Sequence, residues 1–160
     1  MNASLIRKAE PGDFERIVEL NKAEVAQTSA MNAAMLRQLH GLSCYHKVAV
    51  VEDTVAAFLL AMREGVEYRN DNYGYFASGY DSFLYVDRVV VDKSRLGLKI
   101  GSTLYLDLFS YARANGIPQV CCEYNIEPPN IASKHFHERF GFREVARQRV
   151  AGGNKLVSLQ

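Results

Sequence analysis

Segment 89–103 (VVVDKSRLGLKIGST) runs from an apolar strand through a basic, glycine-containing loop into the start of a helix. Free backbone N–H groups and the helix dipole make a helix N-terminus an anion site, for example for a pyrophosphate. Gly97 and Gly101 allow close approach of the backbone, and Arg95 and Lys99 add positive charge. The spacing matches neither a triphosphate P-loop nor a dinucleotide fingerprint. A plain strand–loop–helix connection with incidental glycines is the alternative interpretation.

Two carboxylates lie on strands predicted beside this loop. Asp87 belongs to the strand that leads into it, and Glu123 belongs to the next predicted strand, with Tyr85 and Tyr124 alongside them. Each carboxylate is a candidate general base that takes a proton from a nucleophile, directly or through water. The alternative for Asp87 is an ion pair with Arg88. The alternative for Glu123 is a structural pairing with a nearby cation.

Residues 64–82 are rich in tyrosine, glycine and acidic side chains, and they predict a long loop. Aromatic faces and carboxylates both attract ammonium groups, so we expect this loop to form a lid over a cationic amine. The tyrosines expected to contact that substrate are Tyr73, Tyr75 and Tyr80 in the loop and Tyr85 in the following strand. A mobile loop, or a homodimer contact made by exposed tyrosines, is the alternative.

The surrounding sequence predicts the elements that position these groups. Alternating or β-branched apolar runs predict strands over residues 5–10, 45–52, 54–63, 83–92, 119–125, 142–150 and 154–159. Apolar residues at helical spacing predict helices beginning near residue 13 and over residues 31–40, 99–115 and 131–139. Glu52 and Asp53 predict a tight turn between the second and third strands. No internal repeat or linker divides the chain, so we expect one domain over residues 1–160.

Composition narrows the classes of function. The 160 residues are 48% hydrophobic and 23% charged with a net charge of +1, a balance typical of a globular domain that does not bind nucleic acid or anionic membranes. No apolar run approaches the length of a membrane span, and the N-terminus lacks a signal-peptide pattern. The spacing of the three cysteines and four histidines predicts neither a disulfide framework nor a metal site. We therefore expect a cytoplasmic protein.

The strand–loop–helix segment resembles motif A of the GNAT superfamily of N-acetyltransferases. In that motif a loop of the form (Gln/Arg)-x-x-Gly-x-(Gly/Ala) holds the pyrophosphate of coenzyme A. Gly101 fits the last position, whereas Lys99 replaces the first glycine and Leu96 replaces the Gln or Arg. The resemblance implies that coenzyme A contacts Val89, Val90, Val91, Arg95, Gly97, Lys99, Ile100, Gly101, Ser102 and Thr103.

Residues 130–142 (NIASKHFHERFGF) resemble motif B of the same superfamily. By resemblance, Asn130 contacts the pantetheine arm of coenzyme A, and Ser133 is a further residue that binds the cofactor. His137 occupies the position of the tyrosine that is commonly proposed to protonate the departing thiolate. An imidazolium can also donate a proton, so the resemblance makes His137 the candidate acid. A helix histidine without a catalytic role is the alternative.

Together the two motifs imply a GNAT-like α/β (α+β) fold with a mixed, mainly antiparallel sheet of six or seven strands and four helices. The resemblance implies direct transfer of an acetyl group from acetyl-CoA to the amine of a small molecule or peptide, in a ternary complex and without a metal. Acetyl-CoA is expected between the strand ending at Val91 and the strand over residues 119–125. A catalytically idle module that senses acyl-CoA is the alternative function.

Overall fold

A computed structural model describes residues 4–25, 28–96 and 98–160. It has a mixed α/β fold with a mainly antiparallel arrangement of strands, as predicted. The strands are β1 (Leu5–Lys8), β2 (Tyr45–Val51), β3 (Thr54–Arg63), β4 (Leu84–Val91), β5 (Val120–Cys121), β6 (Glu123–Glu127), β7 (Ala146–Val150) and β8 (Lys155–Leu159). The helices are α1 (Phe14–Ala23), α2 (Ala33–Leu42), α3 (Asp71–Gly79), α4 (Ile100–Ala114) and α5 (Ile131–Arg139). No helix among these residues is long and apolar enough to cross a membrane.

The strands form two sheets rather than the single sheet of six or seven strands that the sequence predicts. The larger has the order β1-β2-β3-β4-β5, and the smaller has the order β6-β8-β7. The predicted strand over residues 119–125 is broken at Cys122, whose backbone exchanges hydrogen bonds with Gln160 at 3.3 and 2.9 Å. This exchange draws β6 away from β5 and into the second sheet.

The edge of β4 that faces β5 is paired only at its start. Leu84 pairs with Val120 and Tyr85 with Cys121, in parallel orientation. Beyond Tyr85, no strand among the described residues pairs with this edge. The two sheets therefore diverge after Tyr85 and Cys121, at a point that we call the fork. The backbone of the second half of β4 is left open to a ligand.

Asp87 is a bulge in β4. Arg88 pairs with Leu60 of β3, whereas Val86 pairs with the next residue, Ala61, so Asp87 is the extra residue between them. A bulge re-aims the side chains around it. As a result Tyr85 and Arg88 lie on the same face of the sheet, while Val86 belongs to the core on the other face.

The core has one layer on each face of the larger sheet. Helices α1, α2 and α3 cover one face, where Ile17, Leu36 and Phe76 are buried. Helix α4 covers the other face with Leu104 and Leu108, and aromatic residues of α5 pack against it. Each helix buries a single apolar side, which is the arrangement that an amphipathic helix needs against a sheet.

The prediction of a structureless loop over residues 64–82 was wrong, because this segment contains α3. The side chain of Asn70 caps α3 by accepting hydrogen bonds from the backbone N–H groups of Asn72 and Tyr73 at 2.9 and 3.1 Å. Tyr73 and Phe76 are buried, with their rings 5.6 and 5.9 Å from that of Tyr85. Packing of these rings stabilises a helix whose own propensity is low, and it raises the helix count from the predicted four to five.

Candidate active site

A cavity of about 400 Å³ lies where β4 and β6 diverge. Its walls come from β4, β6, β8, the end of β7, α4, α5, the start of α3 and the connection between α1 and α2. Asp87, Glu123, Asn130, Ser133 and His137, all predicted site residues, line this one cavity. The fold therefore brings together groups that are distant in sequence.

The carboxyl group of Glu123 is held at the fork by Tyr85. The Tyr85 hydroxyl donates to both carboxylate oxygens, at 2.8 and 3.0 Å. Burial, with a contribution from the neighbouring Asp87 carboxylate, raises the pKa of Glu123 to about 8, although hydrogen bonds from Tyr85 and Asn72 oppose that rise. A carboxyl group with this pKa exchanges protons readily at neutral to mildly alkaline pH, as a general base must.

Asp87 forms the ion pair with Arg88 that the sequence left as an alternative. The Asp87 carboxylate accepts a hydrogen bond from Arg88 Nε at 2.7 Å, and both side chains are almost completely buried. Its other oxygen accepts a hydrogen bond from the Tyr68 hydroxyl at 2.6 Å. Burial and the Asp87 charge raise the pKa of Tyr68, so this hydroxyl keeps its proton. Asp87 is thus ion-paired with a buried cation, whereas Glu123 forms no ion pair among the described residues, so Glu123 is better suited to accept a proton.

Arg88 also fixes the wall of the cavity between α1 and α2. Its guanidinium donates to Asn21 Oδ1, to the Ser29 carbonyl and to Ser29 Oγ, each at 3.1 Å. From the opposite side, Lys155 Nζ donates to the Thr28 carbonyl at 2.8 Å. Thr28 and Ser29 both line the cavity, so side chains from β4 and β8 hold this wall in place.

The start of α4 offers free donors, as the sequence predicts. The N–H groups of the first helical residues, Ile100, Gly101 and Ser102, have no acceptor within a helix. The Thr103 N–H and hydroxyl both donate to the Lys99 carbonyl at 3.0 Å, so Thr103 is not free in the same way. A β-carbon at Gly101 would lie 3.6 Å from Phe136 of α5 and from Val91, which shows how closely α4 approaches the fork.

The loop before α4 matches the expectation only in part. Arg95 is directed to the turn between β2 and β3, where it pairs with Glu52 at 3.1 Å. Lys99 is exposed and has left-handed backbone angles, with φ of 58°. Gly97 lies outside the described residues. In β4, Val89 and Val91 pack on the face of α4, whereas Val90 is buried on the opposite face.

His137 is engaged through both ring nitrogens. Nδ1 lies 2.7 Å from the Ser133 carbonyl, which can only accept, so Nδ1 carries the hydrogen. Nε2 lies 2.9 Å from the Tyr105 hydroxyl and, in the neutral ring, accepts its hydrogen. The residue is 4% exposed, and burial lowers its pKa. Burial therefore disfavours the imidazolium form that the predicted donation of a proton by His137 requires.

The tyrosines predicted to contact the amine are placed elsewhere. Tyr73, Tyr75 and Tyr80 are not among the described residues that line the cavity, because Tyr73 is buried in the core and Tyr75 and Tyr80 pack against it. The Tyr73 hydroxyl donates to the Arg63 carbonyl at 2.8 Å. Tyr85 is fully buried beneath Glu123 and acts on the site through that carboxylate.

Several site residues were not predicted from the sequence. Asn72 lines the cavity and accepts a hydrogen bond from Gln148 at 2.7 Å, and Tyr105 lines it from α4. Tyr105 has the pattern of an ordinary apolar helix position, and Asn72 that of a loop residue. No local signal distinguishes either, because their partners come from distant segments. No group of three or more potential ligands among the described residues is arranged to hold a metal ion.

The sequence profile of the acetyltransferase (GNAT) family matches residues 12–142. The chain belongs to the GNAT family. Members of this family transfer an acetyl group from acetyl-CoA to amines. The family profile covers four of the elements that form this site: β4, β6, the start of α4 and the cap of α5.

Solved structures share this GNAT fold at low sequence identity. Ard1 from Thermoplasma volcanium is 18% identical, with a TM-score of 0.78 over 98% of this chain and 95% of that one. Arabidopsis thaliana NAA60 in complex with a bisubstrate analogue is 17% identical, with a TM-score of 0.75 over 98% and 95%. The ribosomal-protein-S18-alanine N-acetyltransferase from Escherichia coli is 14% identical, with a TM-score of 0.74 over 98% and 91%. No curated protein sequence matches the chain significantly.

The residues present fit coenzyme A as a ligand of a GNAT protein. Unsatisfied N–H groups at the start of α4 suit its pyrophosphate. The unpaired edge of β4 offers backbone hydrogen bonds to an extended arm, as an added strand would use. Asn130, at the cap of α5, lines the cavity from the same side.

Proposed function

We propose that this chain transfers the acetyl group of acetyl-CoA directly to an amine in a ternary complex, with Glu123 as the general base. The observation that carries the proposal is a cavity-facing carboxyl group whose pKa is raised to about 8 at the fork between the two sheets. An amine is protonated at neutral pH and must lose a proton before its nitrogen can attack. The ionised fraction of Glu123, which grows as the pH rises toward 8, accepts that proton and is a stronger base than an ordinary carboxylate.

The other site residues orient and tune this base. The Tyr85 hydroxyl fixes the position of both Glu123 oxygens. The Asp87 charge raises the pKa of Glu123, and Arg88 partly offsets that effect. When bound, acetyl-CoA supplies a thioester carbonyl to the nitrogen. The N–H groups of α4, the edge of β4 and Asn130 are the groups that we assign to holding it.

The first amine class to test is the amino terminus of a protein. The support is the E. coli structure named for an alanine of ribosomal protein S18, which shares the fold over nearly the whole chain. The cavity is also lined by backbone-anchored Thr28 and Ser29 and by the amides Asn70 and Asn72, which suit a polar peptide backbone. Small amines belong in the same panel.

The test measures coenzyme A release against peptides with different first residues and against small amines. We expect turnover with at least one amine, and we expect Glu123→Gln to lower kcat by about 10²–10⁴-fold. Glu127→Gln is the matched control, because Glu127 lies on the same strand but is exposed and pairs with Arg149 at 3.1 Å. Binding of acetyl-CoA without turnover of any amine would favour the sensor function. Absence of acetyl-CoA binding in calorimetry would overturn the proposal.

A further inference from the structure

Transfer of an acetyl group from a thioester leaves a thiolate that takes up a proton. Ordinary thiols have a pKa near 8.5, so a nearby proton donor assists departure of the sulfur at neutral pH. Three aromatic side chains with a donor hydrogen line the cavity on the side of α4 and α5: Tyr105, Tyr124 and His137. The hydrogen bonds that each side chain already forms determine which of the three can donate a proton to the sulfur.

Tyr105 and His137 are committed to one another. The Tyr105 hydroxyl is fully buried and directed at His137 Nε2, and the hydrogen on His137 Nδ1 is directed at the Ser133 carbonyl. Donation by either group would break a buried hydrogen bond and leave its partner unsatisfied, which is unfavourable in a buried site. The pair therefore serves as a fixed wall of the cavity.

Tyr124 is in a different situation. Its ring stacks on that of His137, with centroids 5.9 Å apart and planes 26° apart, and the residue is half-buried. No hydrogen bond joins its hydroxyl to another residue within the described ranges. The wall formed by His137 thus orients the Tyr124 ring while its hydroxyl remains available to a ligand.

Strand geometry places this hydroxyl opposite the base. Successive side chains of a strand point to opposite faces, so Glu123 and Tyr124 diverge from neighbouring positions of β6. Glu123 is directed to Tyr85, on the face covered by α1, α2 and α3. Tyr124 is directed to His137 of α5, on the face where the start of α4 lies. The amine side and the coenzyme A side of the fork each receive one proton-transfer group.

We propose that the Tyr124 hydroxyl donates the proton that the sulfur of coenzyme A takes up. Glu123 first accepts one proton from the ammonium group and later releases it to solvent. The C–N bond then forms and the C–S bond breaks, with its electron pair remaining on sulfur, which takes the hydroxyl proton of Tyr124. The attacking nitrogen carries one proton more than the amide retains and releases it to solvent. The Tyr124 oxygen takes up a proton from solvent, so the residue ends the cycle neutral.

This inference rests on the proposed function, so its test includes a measurement without turnover. Thiolate absorbance reports the pKa of the thiol of coenzyme A bound to the protein. A hydroxyl that donates to the sulfur stabilises the thiolate, so Tyr124→Phe should raise that pKa by about one unit or more. Tyr111→Phe is the matched control, because its hydroxyl donates to the Cys44 carbonyl at 3.3 Å, outside the cavity.

In turnover, Tyr124→Phe should lower kcat by about 10–100-fold and leave the Kd for acetyl-CoA within threefold. Tyr111→Phe, whose hydroxyl lies outside the cavity, should leave both kcat and this Kd unchanged.

The outcomes are distinguishable. A thiol pKa that is the same in wild type and Tyr124→Phe, with kcat changed less than threefold, overturns the inference and leaves the proposed function intact. Binding of coenzyme A with a shifted thiol pKa but no turnover of any amine supports the position of Tyr124 and overturns the proposed function. Circular dichroism and the melting temperature of Tyr124→Phe confirm that the variant is folded.

Discussion

The Tyr85 hydroxyl lies 2.8 and 3.0 Å from the two carboxylate oxygens of Glu123 and donates a hydrogen bond to them from beneath the fork. Tyr85 is itself fully buried, so its hydroxyl has a fixed direction. A hydrogen bond to the charged form of a carboxyl group lowers its pKa, whereas burial and the Asp87 charge raise it. The pKa of about 8 is the balance of these opposing effects, and each of them can be removed separately.

Tyr85→Phe should raise the pKa of Glu123, because the variant loses the donor that stabilises the carboxylate. The low-pH limb of kcat/KM should move to higher pH by about half a unit to one unit. A pH–rate profile of kcat/KM for the amine measures the shift, with Tyr111→Phe as control. An unchanged limb would show that Glu123 is not the titrating base.

Asp87→Asn should move the same limb in the opposite direction. The variant removes a negative charge that raises the pKa of Glu123 and leaves the Arg88 cation, which lowers it. Breaking a buried ion pair also destabilises the fold, by about 3–5 kcal/mol. A profile that moves to lower pH, together with a lower melting temperature, is the expected result. Movement to higher pH would contradict this assignment of charges.

Glu123→Gln should stabilise the protein at alkaline pH while it removes activity. With a folded pKa raised to about 8, Glu123 holds its proton more tightly in the folded state, so its contribution to stability is lost as pH rises from about 4.5 to 8. The amide cannot ionise and avoids this loss. The melting temperature should exceed that of wild type by about 3 °C or more at pH 9 and be closer to it at pH 5. Equal differences at both pH values would contradict the burial of this charge.

The histidine pair between α2 and β2 predicts acid sensitivity. His40 Nδ1 and His46 Nδ1 are 2.8 Å apart, and burial lowers the pKa of His46 to about 4. Between pH values of about 6.5 and 4, the unfolded chain therefore binds a proton at His46 that the folded chain does not bind. The free energy of unfolding falls as the pH is lowered through this range. His46→Leu should flatten this part of the profile of unfolding free energy against pH. His135→Ala, at an exposed position, should leave the profile unchanged.

Gly101 tests the binding site for the pyrophosphate. A β-carbon at this position would make ordinary contacts of 3.6 Å with Phe136 and Val91, so Gly101→Ala should keep the affinity for coenzyme A within about threefold. The γ-methyl groups of Val extend beyond those contacts and displace the start of α4. Gly101→Val should therefore raise the Kd at least about tenfold in calorimetry. Equal affinity of a folded valine variant would place the pyrophosphate elsewhere.

Local signals account for the elements that the sequence predicts well. Asn130 is a strong cap and accepts a hydrogen bond from the Ser133 N–H, and Gly141 follows the end of the helix with a φ of 82°. The bounds of α5 agree with the prediction for this reason. Helix α3 lacks comparable propensity and depends on burial of Tyr73 and Phe76 against distant rings, which sequence periodicity does not reveal.

The candidate site shows the same division between local and distant causes. Residue type identifies the two carboxylates as candidates, but their roles depend on the bulge at Asp87 and on the separation of β6 from β5. Apart from Asp87 and Arg88, strand β4 is apolar on both faces, so its sequence carries no alternation from which a bulge could be located. The pairing of His137 with Tyr105 likewise joins two helices, and a motif in one helix cannot predict it.

Strand β6 carries both proposed proton-transfer groups, and among the described residues its strand partner is β8 alone. β8 begins at Lys155, beyond the segment 12–142 that matches the family profile. Without β8, β6 has no strand partner among the described residues, so the positions of Glu123 and Tyr124 depend on a strand that the family profile does not reach. A variant that ends at Phe142 should therefore retain the strands of the larger sheet but lose the geometry of the candidate site.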